Sequence, residues 1–327
     1  MLLILKVYFY RRTVVYNCTK GKKSLNRKGL TVGLILLFIG TCIIPAIAQD
    51  IEKSSQPTSK GNWLYVGGSK PGNYTKIQDA IDNASDGDTV FVYSGRYNES
   101  IFINKSIVVC GQERNTTFIE GGANPYTFVR IVGANVVFKR FRIEKPLGGL
   151  IHGIYLSDCV QCQVSETSVK FCSFGIEILS NCDSVIVSNN TIRNCTSGIS
   201  LESSKNITMI DNVIDGEVEG LGYGIETEKS YKTTIIRNTI MNYILGIYLT
   251  NSRFTVIQEN NFFINDDRDA VIMNSFFSVW KQNYWDRPHR FPKIIIGSYY
   301  FGGFMFIPYL NFDWYPAQKP YDIPRMT

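Results

Sequence analysis

The sequence is poor in the side chains that most often build catalytic or metal centres. Its two histidines, His152 and His289, are far apart and share no ligand spacing, so no imidazole site for copper or zinc is apparent. Charged residues make up 19% of the chain and hydrophobic ones 44%, which excludes an extended disordered polymer. No acid precedes Gln49, whereas Lys6, Arg11, Arg12, Lys20, Lys22, Lys23, Arg27 and Lys28 all fall in that stretch. Without it the chain has 26 basic against 28 acidic residues, so the formal charge of +6 does not describe a basic groove and no nucleic-acid partner is expected.

The basic stretch is followed by the apolar run from Leu30 to Ile39, by Pro45 and by Ala46-Ile47-Ala48, which is the layout of a secretory signal over residues 1–48. Left uncleaved, the same segment would be an anchor of about 19 apolar residues and the only membrane contact of the protein. Either way the remainder is expected outside the cytoplasm, secreted or at the cell surface. Residues 49–62, QDIEKSSQPTSKGN, read as a polar linker.

From Trp63 onward two registers recur. Gly153-Ile-Tyr-Leu, Gly175-Ile-Glu-Ile, Gly198-Ile-Ser-Leu, Gly224-Ile-Glu-Thr and Gly246-Ile-Tyr-Leu follow one another at a nearly constant interval, with one longer step between Gly198 and Gly224. In phase with them, an Asn stands two residues before an apolar position at Asn190, Asn212, Asn238, Asn260 and Asn283. Both registers absorb the longer step in the same repeat, which places one insertion near Glu217 to Gly222. Short strands of alternating pattern without crossover helices can bury their apolar side only against copies of themselves. The leucine-rich pattern L-x-x-L-x-L-x-x-N is missing, and an all-β, single-stranded parallel β-helix fits. Residues 63–285 form this domain, with roughly eight rungs between Thr89 and Trp285 spaced about 4.8 Å apart. The Asn column is expected at a corner, where Asn tolerates the left-handed conformation. Ile77, Ala80 and Ile81, within Tyr74 to Asn83, predict an amphipathic helix over the N-terminal rung. Residues 286–327 form a C-terminal cap, whose nine aromatics between 299 and 315 either cover the open core or stack on sugar.

The run GNYTKIQDAIDNASDGDTVFVYSG from Gly72 to Gly95, followed by Tyr97-Asn-Glu and Ile103-Asn-Lys-Ser-Ile107, resembles the opening of pectin-lyase-like right-handed β-helix proteins. The N-x-I and G-I-x-L repeats resemble the NosD-type copper-binding and carbohydrate-binding group. Asn283-Tyr-Trp-Asp286 with PYLNFDWYPA from Pro308 to Ala317 is similar to members of that group found as surface proteins of methanogenic archaea. The resemblance implies a right-handed solenoid and a carbohydrate or cell-envelope polymer as partner. A role in copper-site maturation is a further implication, which the ligand content does not favour. Polysaccharide-active members of this fold use acids with Arg or Lys on an outer face, often with Ca²⁺, and their Asn-Thr-Asp, Gly-His-Gly and Asp-Pro-His-Asp arrangements are missing. No catalytic residue and no cofactor is therefore assigned, with Ca²⁺ left open.

The register pairs Cys159 with Cys182 and Cys172 with Cys195, one rung apart, within disulfide reach if oxidised and otherwise as buried thiols. The second residue after each Gly forms an outward column of Tyr155, Glu177, Ser200, Glu226 and Tyr248, and the fourth forms Ser157, Leu179, Glu202, Glu228 and Thr250. Tyr155, Glu177, Glu202, Glu226, Glu228 and Tyr248 are the expected substrate-binding residues. Glu202 and Glu228 fall one strand spacing apart, about 5 Å, and Glu177 and Glu226 two spacings apart, about 9.6 Å, so a retaining or an inverting glycosidase pair remains a rival reading. Asp266-Asp-Arg-Asp269 reads as a solvated loop. Acceptor tripeptides for N-glycosylation stand at Asn73, Asn83, Asn98, Asn104, Asn115, Asn189, Asn194 and Asn206. Together these features predict a non-catalytic surface β-helix that binds carbohydrate or builds the envelope.

Overall fold

The isoleucines that follow the recurring glycines stack in one inward line. Ile154, Ile176, Ile199, Ile225 and Ile247 are paired in register and fully buried. The structure, a computed structural model, describes residues 61–122, 126–144, 151–217, 222–265, 268–301 and 305–323. The expected signal segment, residues 1–48, and residues 49–60 of the expected linker lie outside these. The described chain winds as a parallel β-solenoid of about 10 turns with a single helix.

Each full turn supplies three strands. The first face contains Phe174–Leu179, Ser197–Glu202, Tyr223–Glu228 and Leu245–Thr250; the second contains Ile186–Ser188, Thr208–Ile210 and Thr234–Ile236; the third contains Thr191–Arg193, Val213–Asp215 and Thr239–Met241. All of these pair in parallel with the equivalent strand one turn on. The second face has nine strands between Thr89 and Trp285 and one more at Trp63–Val66, against the eight rungs expected. The difference arises before residue 150, where the glycine and asparagine registers do not run. There the step from Thr89 to its partner Val108 is short, and the step from Val108 on to Val137 is long.

The interior is a bundle of apolar ladders, each fully buried aliphatic side chain contributing about 1.5–3 kcal/mol. The glycine column has a steric cause. A Cβ at Gly198 would lie 2.3 Å from Ile214 Cγ2 and 2.5 Å from the carbonyl oxygen of Gly224, so neighbouring coils can approach there only without a side chain.

The asparagine column stands at the corner between the second and third faces, as expected, but not in its left-handed position. The left-handed position belongs to the residue before it, at Asn189, Asp211, Arg237, Glu259 and Gln282, with φ between 50° and 56°. Asn190, Asn212, Asn238, Asn260 and Asn283 point inward, at most 1% exposed. Each of the first four donates its amide and its Nδ2 to the Oδ1 of the next, at 2.9–3.1 Å. The ladder satisfies corner amides that face inward, where no water reaches.

Both ends are closed. Helix α1 (Ile77–Asn83) buries Ile77, Ala80 and Ile81 over the first rung. Glu99 accepts the Ile77 and Gln78 amides at its N-terminus, and Lys105 Nζ donates to the carbonyls of Ile81, Asp82 and Ala84 at its C-terminus. Opposite charges thus sit on the ends of the helix dipole that favour them. The Gln78 side chain accepts from the Phe102 amide and donates to its carbonyl, occupying the edge of Ile101–Ile103 as a further strand would. At the other end an antiparallel hairpin of Lys293–Phe301 and Met305–Asp313 extends the first face. Trp280 and Trp285 end two interior ladders beneath it, and Tyr309 donates to the Ser275 carbonyl at 2.5 Å. Part of the aromatic stretch thus covers the core, whereas Tyr300, Trp314 and Tyr315 face solvent.

Candidate functional site

The strand registers build the outer side of the first face as expected from the repeats. Tyr155, Glu177, Ser200, Glu226 and Tyr248 are consecutive partners, and Glu202 lies opposite Glu228. A third outward column comes from the residue before each Gly: His152, Phe174 and Ser197 are aligned, as are Tyr223 and Leu245. Sequence reasoning does not single that column out, although its place one position before the recurring Gly makes it readable.

The three columns shape a groove. Ser197 and Ser200 lie at its floor, 6% and 8% exposed, because the side chains on the turns to either side are longer. One wall carries Phe174 and Glu177; the other carries Tyr223, Glu226 and Tyr248. Tyr223 and Tyr248 stack at 4.9 Å, and Phe174 stacks on His152 at 5.2 Å. The walls are two strand spacings apart, about 9.6 Å.

Each carboxylate has its own surroundings. Glu177 is buried, with Oε2 2.5 Å from His152 Nδ1. Glu226 is half-buried and no cation pairs with it among the described residues; burial first, then Glu228, Glu202 and Glu177, push its carboxyl above the usual carboxylate range. Glu202 and Glu228 share Lys229, whose Nζ lies 3.6 and 2.8 Å from them. The like charges are therefore bridged by a residue of the chain itself, which follows Glu228 directly in a left-handed conformation at φ 47°. Sequence reasoning does not single out Lys229. Beyond Tyr155, Arg130 lies over the rings of Phe102 and Tyr155 at 5.5 and 5.9 Å.

The remaining expected residues lie elsewhere. Cys159 and Cys182 occupy one interior corner on adjacent turns, with the Cys159 amide 3.4 Å from Cys182 Sγ, and Cys172 and Cys195 occupy another. All six described cysteines are buried free thiols. Asn83, Asn98, Asn104, Asn115 and Asn206 are exposed, while Asn73, Asn189 and Asn194 are half-buried. Asp266 and Asp267 lie outside the described residues; Asp269 meets Lys293 at 3.4 Å.

Comparison with known proteins agrees with this architecture. A cell surface glycoprotein of Methanothermus fervidus is 27% identical over 139 residues, covering 42% of this chain and 20% of that protein, so the chain spans about a fifth of its length. The catalytic unit of a GH87 α-1,3-glucanase from Streptomyces thermodiastaticus has a TM-score of 0.51 at 18% identity, over 63% of this chain and 41% of that one. An alginate lyase from a Paenibacillus species has a TM-score of 0.41 at 11% identity, over 68% and 95%. At these identities the likeness to the solved structures concerns the fold alone.

The family model that matches residues 81–304 is described as periplasmic copper-binding protein (NosD). The donors present do not fit copper. His152 is held by Glu177, and the Cys159 and Cys162 thiols are turned to the Ile131 and Gly133 carbonyls inside the core. Among the described residues no three His, Cys, Asp or Glu side chains are grouped to hold a metal ion. The match nonetheless runs through every turn that builds the groove and over more than half of the sequence, and the chain belongs to the NosD family.

Proposed function

We propose that this is an extracytoplasmic surface protein whose first face binds a carbohydrate chain seated across the solenoid axis, in the groove between the Glu177 and Glu226 turns. The groove over Ser197 and Ser200 carries the reading. Its floor is small and hydroxylated, its walls present the rings of Phe174, Tyr223 and Tyr248, and Glu177 and Glu226 offer acceptors for sugar hydroxyls. Aromatic faces combined with a few fixed polar groups are the chemistry that pyranose recognition requires. The surface assignment draws on the signal-like layout of residues 1–48 and on the glycoprotein relative.

A hydrolytic reading has one observation in its favour. Glu226 has a raised pKa and lies across the groove from Glu177, a placement near the upper limit for an inverting pair. Glu202 and Glu228 suit a retaining pair less, since Lys229 holds both. The test is a glycan-array screen of the protein with product analysis on each hit. Binding without products, lost in Ser200→Tyr and weakened at least tenfold in Tyr248→Ala, is the expected result. Shorter sugars that disappear in Glu226→Gln would establish the hydrolase instead, and binding unaffected by Ser200→Tyr would remove the groove from the account.

A further inference from the structure

The outer side of the third face carries cations that the groove does not use. Arg142, Ser168 and Thr191 stand there in one outward column and Lys170 and Arg193 in the next, because Val169 and Ile192 between them point into the core. Arg114 reaches them from the corner after Val108–Gly111, with Nη1 donating to Thr191 Oγ1 at 3.3 Å. Ser168 and Thr191 are buried although they face outward. The nearby carboxylates are committed elsewhere. Glu144 pairs with Arg142 and Glu166 with Arg140, each at 2.8 Å. Glu217 stays 3.8 Å from Arg193 Nη1, beyond hydrogen-bond range, and its other oxygen accepts from Asn194 Nδ2. Asp215, next in the Arg193 column, accepts the Glu217 amide and Asn242 Nδ2. Among the described residues no carboxylate forms an ion pair with Arg114 or Lys170.

Two guanidinium groups thus meet at one hydroxyl. Burial lowers the pKa of Arg114, with Glu166 opposing and the like charge of Arg193 adding to the shift. Arg193 Nε is buried and meets no acceptor among the described residues. A buried charged N–H without an acceptor is costly, and an oxyanion is the group that removes the cost for both arginines at once. We propose that Arg114 and Arg193 hold a tetrahedral oxyanion, a phosphate or sulfate group, beside Thr191. The guanidinium groups donate to its oxygens, and the Thr191 hydroxyl, which accepts from Arg114, turns its own proton to it. Lys170, one turn before Arg193, adds a third positive charge, which suits a group carrying close to two negative charges better than a lone carboxylate. A free ion and an ester on a glycan share this chemistry. The site lies on another face than the groove over Ser197 and Ser200 and stands whether or not that groove binds sugar.

Titration calorimetry of the full chain with inorganic phosphate and with inorganic sulfate, at fixed ionic strength, tests this. One site is expected, weakened at least tenfold in Arg114→Gln and in Arg193→Gln, and less in Arg114→Lys, which keeps the charge and loses the fork. An unchanged thermal melt would show that each variant is folded. Arg253→Gln removes an exposed arginine at the corner between the first and second faces and is expected to change nothing. Displacement of phosphate by dextran sulfate but not by dextran would assign the site to a sulfated chain, and phosphate binding that neither displaces would assign it to the free ion. No binding of either anion, or binding that survives both glutamine variants, would overturn the site.

Discussion

Asn283 donates twice to one oxygen of Asp313, through its amide at 2.8 Å and its Nδ2 at 3.1 Å. These are the bonds that each earlier ladder Asn makes to the next. Asp313 has no donor to pass on, and it also accepts from the Gln282 amide and the Trp285 indole. A fully buried carboxylate is thus the terminator of an amide ladder. Asp313→Ala would take the acceptor from four N–H groups, of which the buried Asn283 amide and Trp285 indole have no other partner among the described residues and Asn283 Nδ2 keeps the Ile257 carbonyl, at about 1–3 kcal/mol for each group left unpaired. Allowing for relaxation, a loss of about 3–5 kcal/mol is expected by urea denaturation, and Asp313→Asn is expected to lose about half of that. A loss below about 1 kcal/mol in the alanine variant would show that the end is not held this way.

Gly198→Ala adds a methyl group with contacts at 2.3 and 2.5 Å to the neighbouring turns. Overpacking of this kind costs about 1–3 kcal/mol. Gly87→Ala meets no atom within 4 Å but sits at φ 91°, so it separates conformational strain from crowding. Equal stability of Gly198→Ala and wild type would contradict the packing of the turns.

Glu226 gives a pH dependence of known sign. Its folded pKa is raised, so between the ordinary value of about 4.3 and the folded one the native state holds a proton that the unfolded state releases. Stability therefore falls as pH rises through that window, and the penalty is complete above it. Glu226→Gln is expected to raise Tm by about 2 °C or more at pH 7, with the gain vanishing below about pH 4. Calorimetry that found the gain constant across this range would remove Glu226 as its source.

Lys229 Nζ lies between the carboxylates of Glu202 and Glu228. In Lys229→Ala the two carboxylates are expected to bind Ca²⁺ in the millimolar range, as loosely organised extracellular sites do. Titration calorimetry should detect heat in the variant and none at that site in wild type. No heat in either would mean that the two acids do not converge.

The stacked thiols predict which bonds form on oxidation. The contact with the neighbouring Cys195 thiol, and then burial, raises Cys172, so native-state alkylation is expected to be slow. Treatment with a disulfide oxidant should yield Cys159–Cys182 and Cys172–Cys195 in non-reduced peptide maps. Recovery of Cys159–Cys195 instead would place the turns in the wrong order.

The periodic part of the molecule was legible in the sequence because one turn repeats the geometry of the last. Gly153 to Gly246 mark a site with no room for Cβ, and the two-residue alternation after them assigns inside and outside. The turns before residue 150 were less legible, since the short step from Thr89 to Val108 and the long one from Val108 to Val137 average to the period without displaying it. Lys229 was missed because its role depends on a left-handed corner that returns the side chain over Glu228, and no local pattern announces that. The role of the asparagines was misread for a similar reason: the corner conformation belongs to residues as different as Arg237 and Glu259, which the sequence does not mark.

Because every rung of the ladder offers the next one the same two donors and the same acceptor, the interior carries no information about how many rungs there should be. A whole turn spliced in or cut out between Asn212 and Asn260 would meet identical partners on both sides. Length in this architecture is a property of its two ends. Descendants of such a chain can grow or shrink in single-turn increments without redesigning either closure, and the distance between a groove and the hairpin is then adjustable by about 4.8 Å per turn.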